Sequence, residues 1–236
     1  MCLLSRMGGV AMLDTFQLMR RYAQWEGVFM SMTDRQAHWE NLYTTKGEAE
    51  VGWFQETPAP SLELIALVGA TRQSAFIDIG GGASRLVDHL VSEGYEDLTV
   101  LDLSAAALAA AKARIGEEAR HVHWLAADAT TWEPSHTYDI WHDRAAFHFL
   151  TSSADQAAYV ARLRSALRGG GHVIIGTFAL DGPEKCSGLP VARHDAESLG
   201  ETLGAEFVLV DIRRHEHPTP WGAMQRFQFS TFRRGA

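Results

Sequence analysis

The sequence predicts an α/β fold, a Rossmann-like and mostly parallel sheet with helices on both faces and an antiparallel hairpin at its C-terminal end. Three observations predict it. Short apolar runs alternate with helical patterns from Ala75 to Phe178, and the first run ends in Gly80, Gly81 and Gly82. The last two runs, Glu206 to Arg213 and Met224 to Phe232, alternate in period two with no helical pattern between them.

Taken in order, Ala75 to Ile79 is the first strand, and the triple glycine turns it into a helix marked by Leu86, Val87, Leu90 and Val91. Leu98 to Leu103 is the second strand, after which Ser104 supplies an N-cap for an alanine-rich helix reaching Ile115. His121 to Ala126 and Tyr138 to His142 follow as strands. Ala154 to Leu167 reads as a long helix closed by Gly169, Gly170 and Gly171, and the β-branched run His172 to Phe178 as the fifth strand. Ala196 to Leu203 is helical before the closing hairpin.

The 236 residues, 46% hydrophobic and 21% charged, suffice for one packed domain, which excludes disordered and fibrous classes. A net charge of −8 sets the overall field against a phosphate backbone, so nucleic acid is not expected as a partner. No apolar run approaches the roughly 18 residues of a membrane span. The two cysteines, Cys2 and Cys186, cannot frame a disulfide scaffold, a zinc pair or an iron–sulfur cluster, and they point to a reducing compartment, hence a cytoplasmic protein. Residues 1–32, with Arg6, Arg20, Arg21 and a loose apolar series, read as an N-terminal extension or lid helix, and residues 33–236 as the domain that carries the chemistry.

In such a sheet ligands bind beyond the C-terminal strand ends. The first loop there is Asp78-Ile-Gly-Gly-Gly-Ala-Ser84, whose glycines let the backbone turn sharply against a ligand. Asp102 ends the second strand, where a carboxylate accepts both hydroxyls of a ribose. Asp128, in Ala126-Ala-Asp-Ala129, follows the third, where it accepts a proton from an adenine amino group. Three acids after three successive strands frame a nucleoside site, and Asp78 at its door suits an adenosine ligand carrying a cation better than a pyrophosphate.

On these residues the chain resembles the class I S-adenosylmethionine-dependent methyltransferases over roughly Leu62 to Phe232. The resemblance implies a seven-stranded sheet with its last strand antiparallel, S-adenosylmethionine as cofactor, and contacts to it from Asp78, Gly80, Gly82, Asp102, Asp128 and Ala129. Where many members carry a third glycine, this chain has Ser84. Upstream, Trp39-Glu-Asn-Leu-Tyr43 and Gly52-Trp-Phe-Gln55 look like the cofactor-covering segment of thiopurine and thiol methyltransferases, and like that of the elongation-factor type of protein-lysine methyltransferase. Trp53 and Phe54 are expected to cover the sulfonium, since a ring face attracts a cation, whereas Trp39 and Tyr43, four apart on one helical face, are expected to pack a helix on the sheet.

The acceptor side lies in Tyr138-Asp-Ile-Trp-His-Asp-Arg-Ala-Ala-Phe-His148. It contains neither the Asn/Asp-Pro-Pro-aromatic tetrad of nucleobase amine methylation nor Pro-Cys, and no Asp-Asn pair follows the fifth strand, so no metal is expected. Asp143 and His148 are the candidate catalytic bases, and His142, Arg144 and Cys186 the candidate substrate contacts. Arg144 either binds an anionic substrate or pairs with Asp143. The Gly- and Pro-rich Asp181 to Pro190 reads as a substrate lid. Cys186 with His215 and His217 forms a soft-metal site or, as preferred, His215 and His217 belong to a polar hairpin loop. The expected reaction is methyl transfer to a small molecule through a sulfur, nitrogen, oxygen or metalloid acceptor. The alternatives are a protein-lysine methyltransferase and a non-catalytic adenosyl-ligand binder.

Overall fold

The structure, a computed structural model, describes residues 32–236, so all but the last residue of the expected N-terminal extension lies outside the described residues. The helices are α1 (Met32–Thr45), α2 (Ala59–Leu67), α3 (Leu86–Ser92), α4 (Ala105–Ile115), α5 (Ser153–Ala166) and α6 (Ala196–Leu203). The strands are β1 (Phe76–Ile79), β2 (Leu98–Asp102), β3 (Val122–Ala126), β4 (Tyr138–Arg144), β5 (Leu167–Phe178), β6 (Lys185–Cys186), β7 (Leu189–Pro190), β8 (Phe207–Pro218) and β9 (Met224–Arg234).

Seven strands form one sheet in the order β3-β2-β1-β4-β5-β9-β8. The first five are parallel, and β9 inserts antiparallel between β5 and β8. The expected α/β architecture with its closing hairpin is therefore the observed one. Strand order reverses between β1 and β4, which opens a crevice at their C-terminal ends.

Period two along the buried strands divides the core into two layers. Ile77, Ile79, Trp141, Val173 and Ile175 face α5 and α6 through Tyr159, Leu163, Leu199 and Leu203. Phe76, Val100, Ile140 and Ile174 face α2 and α3 through Leu64, Ile65, Leu86 and Leu90. Helix starts follow the sequence: Ser104 accepts the Ala107 amide at 3.1 Å, Ser152 the Asp155 amide at 3.1 Å, and Asp195 the Ser198 amide at 2.9 Å.

Two local expectations are corrected. Gly169 to Gly171 do not close a helix from outside but lie within β5, which begins at Leu167 directly after α5. The reason is the pairing, because β4 and β5 shift register between Tyr138 and Ile140, and a Cβ on Gly171 would stand 2.9 Å from the Asp139 carbonyl oxygen. The Asp181 to Pro190 segment is not an open lid loop throughout, since β6 and β7 pair within it and bury Cys186. Among the described residues no helix is long and apolar enough to cross a membrane.

Candidate active site

The crevice is a cleft of about 1020 Å³, open mouth included. Its floor is the glycine turn after β1. Gly80 adopts φ +66° and Gly82 φ +35°, and a Cβ at Gly82 would stand 2.5 Å from the Asp102 Oδ2, so only glycine leaves that carboxylate its room. Asp78, Gly80, Asp102, Asp128 and Ala129 line the cleft as expected, whereas Gly82 packs beneath it against Asp102 and Ala107.

Each acid is held differently. Asp78 Oδ1 lies 2.7 Å from His142 Nδ1, and His142 Nε2 lies 2.9 Å from the Ser61 hydroxyl, so a buried three-residue chain fixes the carboxylate. Asp102 Oδ1 accepts the Ser104 amide at 2.8 Å. Burial, the largest cause, pushes its pKa up to about 7. Asp128 Oδ1 accepts both the amide and the hydroxyl of Thr130, at 2.7 and 2.6 Å. Its Oδ2 is buried without a hydrogen-bond donor, and Arg35 stands 3.6 Å away. A buried carboxylate oxygen lacking a donor costs free energy until a ligand N–H supplies one.

Helix α1 roofs the cleft. Glu40 Oε2 accepts the Ser104 hydroxyl at 2.7 Å and the Ala106 amide at 3.2 Å, which docks a carboxylate on the N-terminus of α4. Arg35, Trp39 and Tyr43, at i, i+4 and i+8, then share the face that lines the cleft. Trp39 meets Trp53 at 5.7 Å and Phe149 at 4.9 Å, and Tyr43 meets Trp53 at 6.3 Å, all edge to face. The expectation that Trp39 and Tyr43 only pack a helix on the sheet is corrected: both are wall residues. The 35/39/43 spacing was the available signal. Trp53 lines the cleft as expected, but Phe54 does not; its ring lies under the Arg85 guanidinium at 5.6 Å. Arg85 bonds Glu48 and Glu56 at 2.5 Å each, which anchors the segment bearing Trp53.

The two expected bases are also corrected. Asp143 is fully buried off the cleft wall, where its oxygens accept the Ala146 and Phe147 amides and the Tyr159 hydroxyl at 2.8 to 3.1 Å. Desolvation raises its pKa to about 6. A carboxylate that accepts from its own turn and from a tyrosine of α5 ties β4 to that helix and acts as a structural staple. His148 is likewise fully buried off the wall, against Phe149 and Phe178, and burial lowers its pKa to about 3.

Arg144 ends β4 on the cleft wall. It does not pair with Asp143; its Nη1 donates to the Trp53 carbonyl at 3.0 Å, and among the described residues no carboxylate lies within ion-pair distance. Cys186 also lines the cleft, and burial pushes its thiol up to about 12. His217 Nε2 lies 2.9 Å from the Gly52 carbonyl oxygen and His215 Nε2 3.3 Å from Gln55, so these two histidines clamp the Trp53 segment. Among the described residues no cluster of three or more His, Cys, Asp or Glu is placed to hold a metal ion.

Residues 76–171 match the family described as methyltransferase domain. The chain is similar to the mouse eEF1A lysine and N-terminal methyltransferase, 22% identical over 218 residues that cover 84% of this chain and 31% of the mouse protein. It thus spans about a third of that curated relative's length. Among solved structures, a SAM-dependent methyltransferase from Anabaena variabilis superposes with a TM-score of 0.67 at 15% identity, covering 84% of this chain and 94% of that one. The Burkholderia thailandensis 1,6-didemethyltoxoflavin-N1-methyltransferase, solved with bound 1,6-didemethyltoxoflavin and S-adenosylhomocysteine, gives 0.60 at 20% identity, covering 98% of this chain and 94% of that one.

Proposed function

Taking this chain as a class I S-adenosylmethionine-dependent methyltransferase, we propose that it methylates a small molecule enclosed between α1, the Trp53 segment and the end of β4. The donor fits the residues present. The Asp102 carboxylate serves the ribose hydroxyls, the donor-less Oδ2 of Asp128 serves the adenine amino group, and Asp78 serves the cationic amino acid end. S-adenosylmethionine supplies an activated methyl group. The protein contributes orientation and exclusion of water, which are the main sources of rate in an in-line displacement.

The observation that carries the small-molecule reading is the roof. Trp39, Tyr43, Trp53 and Phe149 close over the acceptor end with Arg144 among them, leaving an aromatic-walled chamber with a cationic group inside. A protein-lysine acceptor would bring its own cation to that guanidinium. We place the protein in the cytoplasm, in keeping with Cys186 as a free buried thiol. The acidic net charge supports the absence of nucleic acid among its partners.

The test is transfer of labelled methyl from S-adenosylmethionine in a cell extract, divided by size. Label in the small-molecule fraction supports the reading. Label confined to a protein band rejects it in favour of the lysine acceptor.

A further inference from the structure

We propose that β8 pairs antiparallel with β8 of a second copy of this chain about a twofold axis at Ile212, so that one sheet runs through both copies.

Strand β8 ends the sheet. Among the described residues it pairs with β9 alone, which leaves the other edge of a 12-residue strand open. Val208, Leu209, Val210 and Ile212 stand on it 44 to 63% exposed. The register shift between Leu209 and Asp211 contributes to this cluster, because the extra residue at Val210 interrupts the alternation that turns every second side chain inward. Single exposed apolar residues are ordinary. Four among the five residues 208–212, on an unpaired edge, form a surface suited to association.

The charges on the strand select its occupant. Residues opposed across an antiparallel pair share a face, so a twofold axis between two copies of one strand passes through a residue. Each choice of axis fixes which side chains meet. An axis at Asp211, Arg213 or Arg214 sets that charge against its own copy. An axis at Val210 sets Asp211 against Leu209 and Arg213 against Phe207. An axis at His215 pairs Arg214 with Glu216, but it sets Ile212 against Pro218, which has no N–H, and leaves Leu209 and Val210 outside the strand pair. The axis at Ile212 pairs Asp211 with Arg213 of the second copy twice over and Ile212 with itself. It also lays the aliphatic stem of Arg214 against Val210. Within its own chain Arg213 is held by Glu63 of α2 and lies 4.0 Å from Asp211, so positive and negative groups alternate across the axis. Charges on a sheet edge ordinarily discourage pairing. Here they attract in the register that also joins the apolar residues, and that self-complementarity points to a second copy.

The experiment measures the mass of the full chain by sedimentation equilibrium over a range of concentrations and follows amide exchange over residues 208–216. We expect the wild type to reach twice the monomer mass and to dissociate on dilution, with amide protection rising and falling with the dimer. Ile212→Lys should remain monomeric over the same range with an unchanged circular dichroism spectrum. Asp211→Arg alone and Arg213→Asp alone should each associate about tenfold or more weakly than wild type, because like charges then face each other. Mixed together, these two variants should form a heterodimer in native mass spectrometry, since one chain carries two positive groups and the other two negative ones. This mixing arm decides the matter even if Ile212→Lys fails to fold. A wild type that stays monomeric up to its solubility limit would overturn the proposal. Protected 208–212 amides in that monomer would give the edge to residues 1–31 of the same chain, and freely exchanging ones would leave it to a different protein. A dimer that withstands Ile212→Lys, or charge variants that each associate as tightly as wild type, would overturn it as well by placing the contact elsewhere.

Discussion

His142 Nδ1 lies 2.7 Å from Asp78 Oδ1, joining adjacent strands β4 and β1 at the point where the sheet order reverses. The pair turns a neighbouring register, Asp78 opposite His142, into a fixed orientation for the acid at the mouth of the glycine turn. His142 is thereby a positioning residue. His142→Ala should weaken S-adenosylhomocysteine binding by about 1 to 2 kcal/mol by calorimetry, whereas His142→Asn or His142→Gln, able to donate to Asp78, should recover part of it.

Asp102 carries a conflict between binding and stability. Its folded pKa, raised to about 7 chiefly by burial, exceeds the ordinary carboxylate value, so the folded state binds its proton more tightly than the unfolded state. The contribution to stability is full below about pH 4 and is lost as pH rises through about 7. Asp102→Asn keeps an acceptor for the Ser104 amide. It should raise the melting temperature of the ligand-free protein at pH 8 while weakening S-adenosylhomocysteine binding by about 1.5 to 3 kcal/mol. Wild-type affinity should fall as pH drops below about 7, and the variant should show no such fall.

Asp143 is expected to matter for folding. Asp143→Ala removes the acceptor of two amides and the Tyr159 hydroxyl and should cost about 2 to 4 kcal/mol in urea unfolding. The folded fraction should still bind S-adenosylhomocysteine within about twofold of wild type, since one such factor is well under 1 kcal/mol. A stable but inactive Asp143→Ala protein would contradict this assignment.

Glu40 fastens the roof. Glu40→Gln keeps the shape but weakens the contact to the N-terminus of α4, and should cost about 0.3 to 1 kcal/mol of stability. The α1 amides should exchange faster by hydrogen–deuterium measurement, and S-adenosylhomocysteine should dissociate faster.

The floor of the cleft was legible because period-two strands, a triple glycine and three acids at successive strand ends each have a local signature, and together they fix the sheet's first half. Ser104 likewise announced its helix start, whereas the caps at Ser152 and Asp195 came from the structure. The wall at the end of β4 was not, because it depends on which way a side chain turns after a strand ends. Asp143 and Arg144 are adjacent in sequence, yet one caps its own turn and the other faces the cleft. Trp39 and Tyr43 follow a helical spacing that fits a core face equally well, and only the docking of Glu40 on α4 aims them at the cleft. Gly169 to Gly171 resemble a helix stop, but their place was decided by a register shift in the neighbouring strand, which leaves no local trace.

The most direct measurement is calorimetric titration of the purified chain with S-adenosylhomocysteine, in parallel with Asp102→Ala. The account predicts micromolar binding to the wild type and a loss of about tenfold or more in the variant, the equivalent of one charge-assisted hydrogen bond. Absence of wild-type binding, or equal binding by both proteins, would contradict the assignment of the three-acid cleft to the methyl donor.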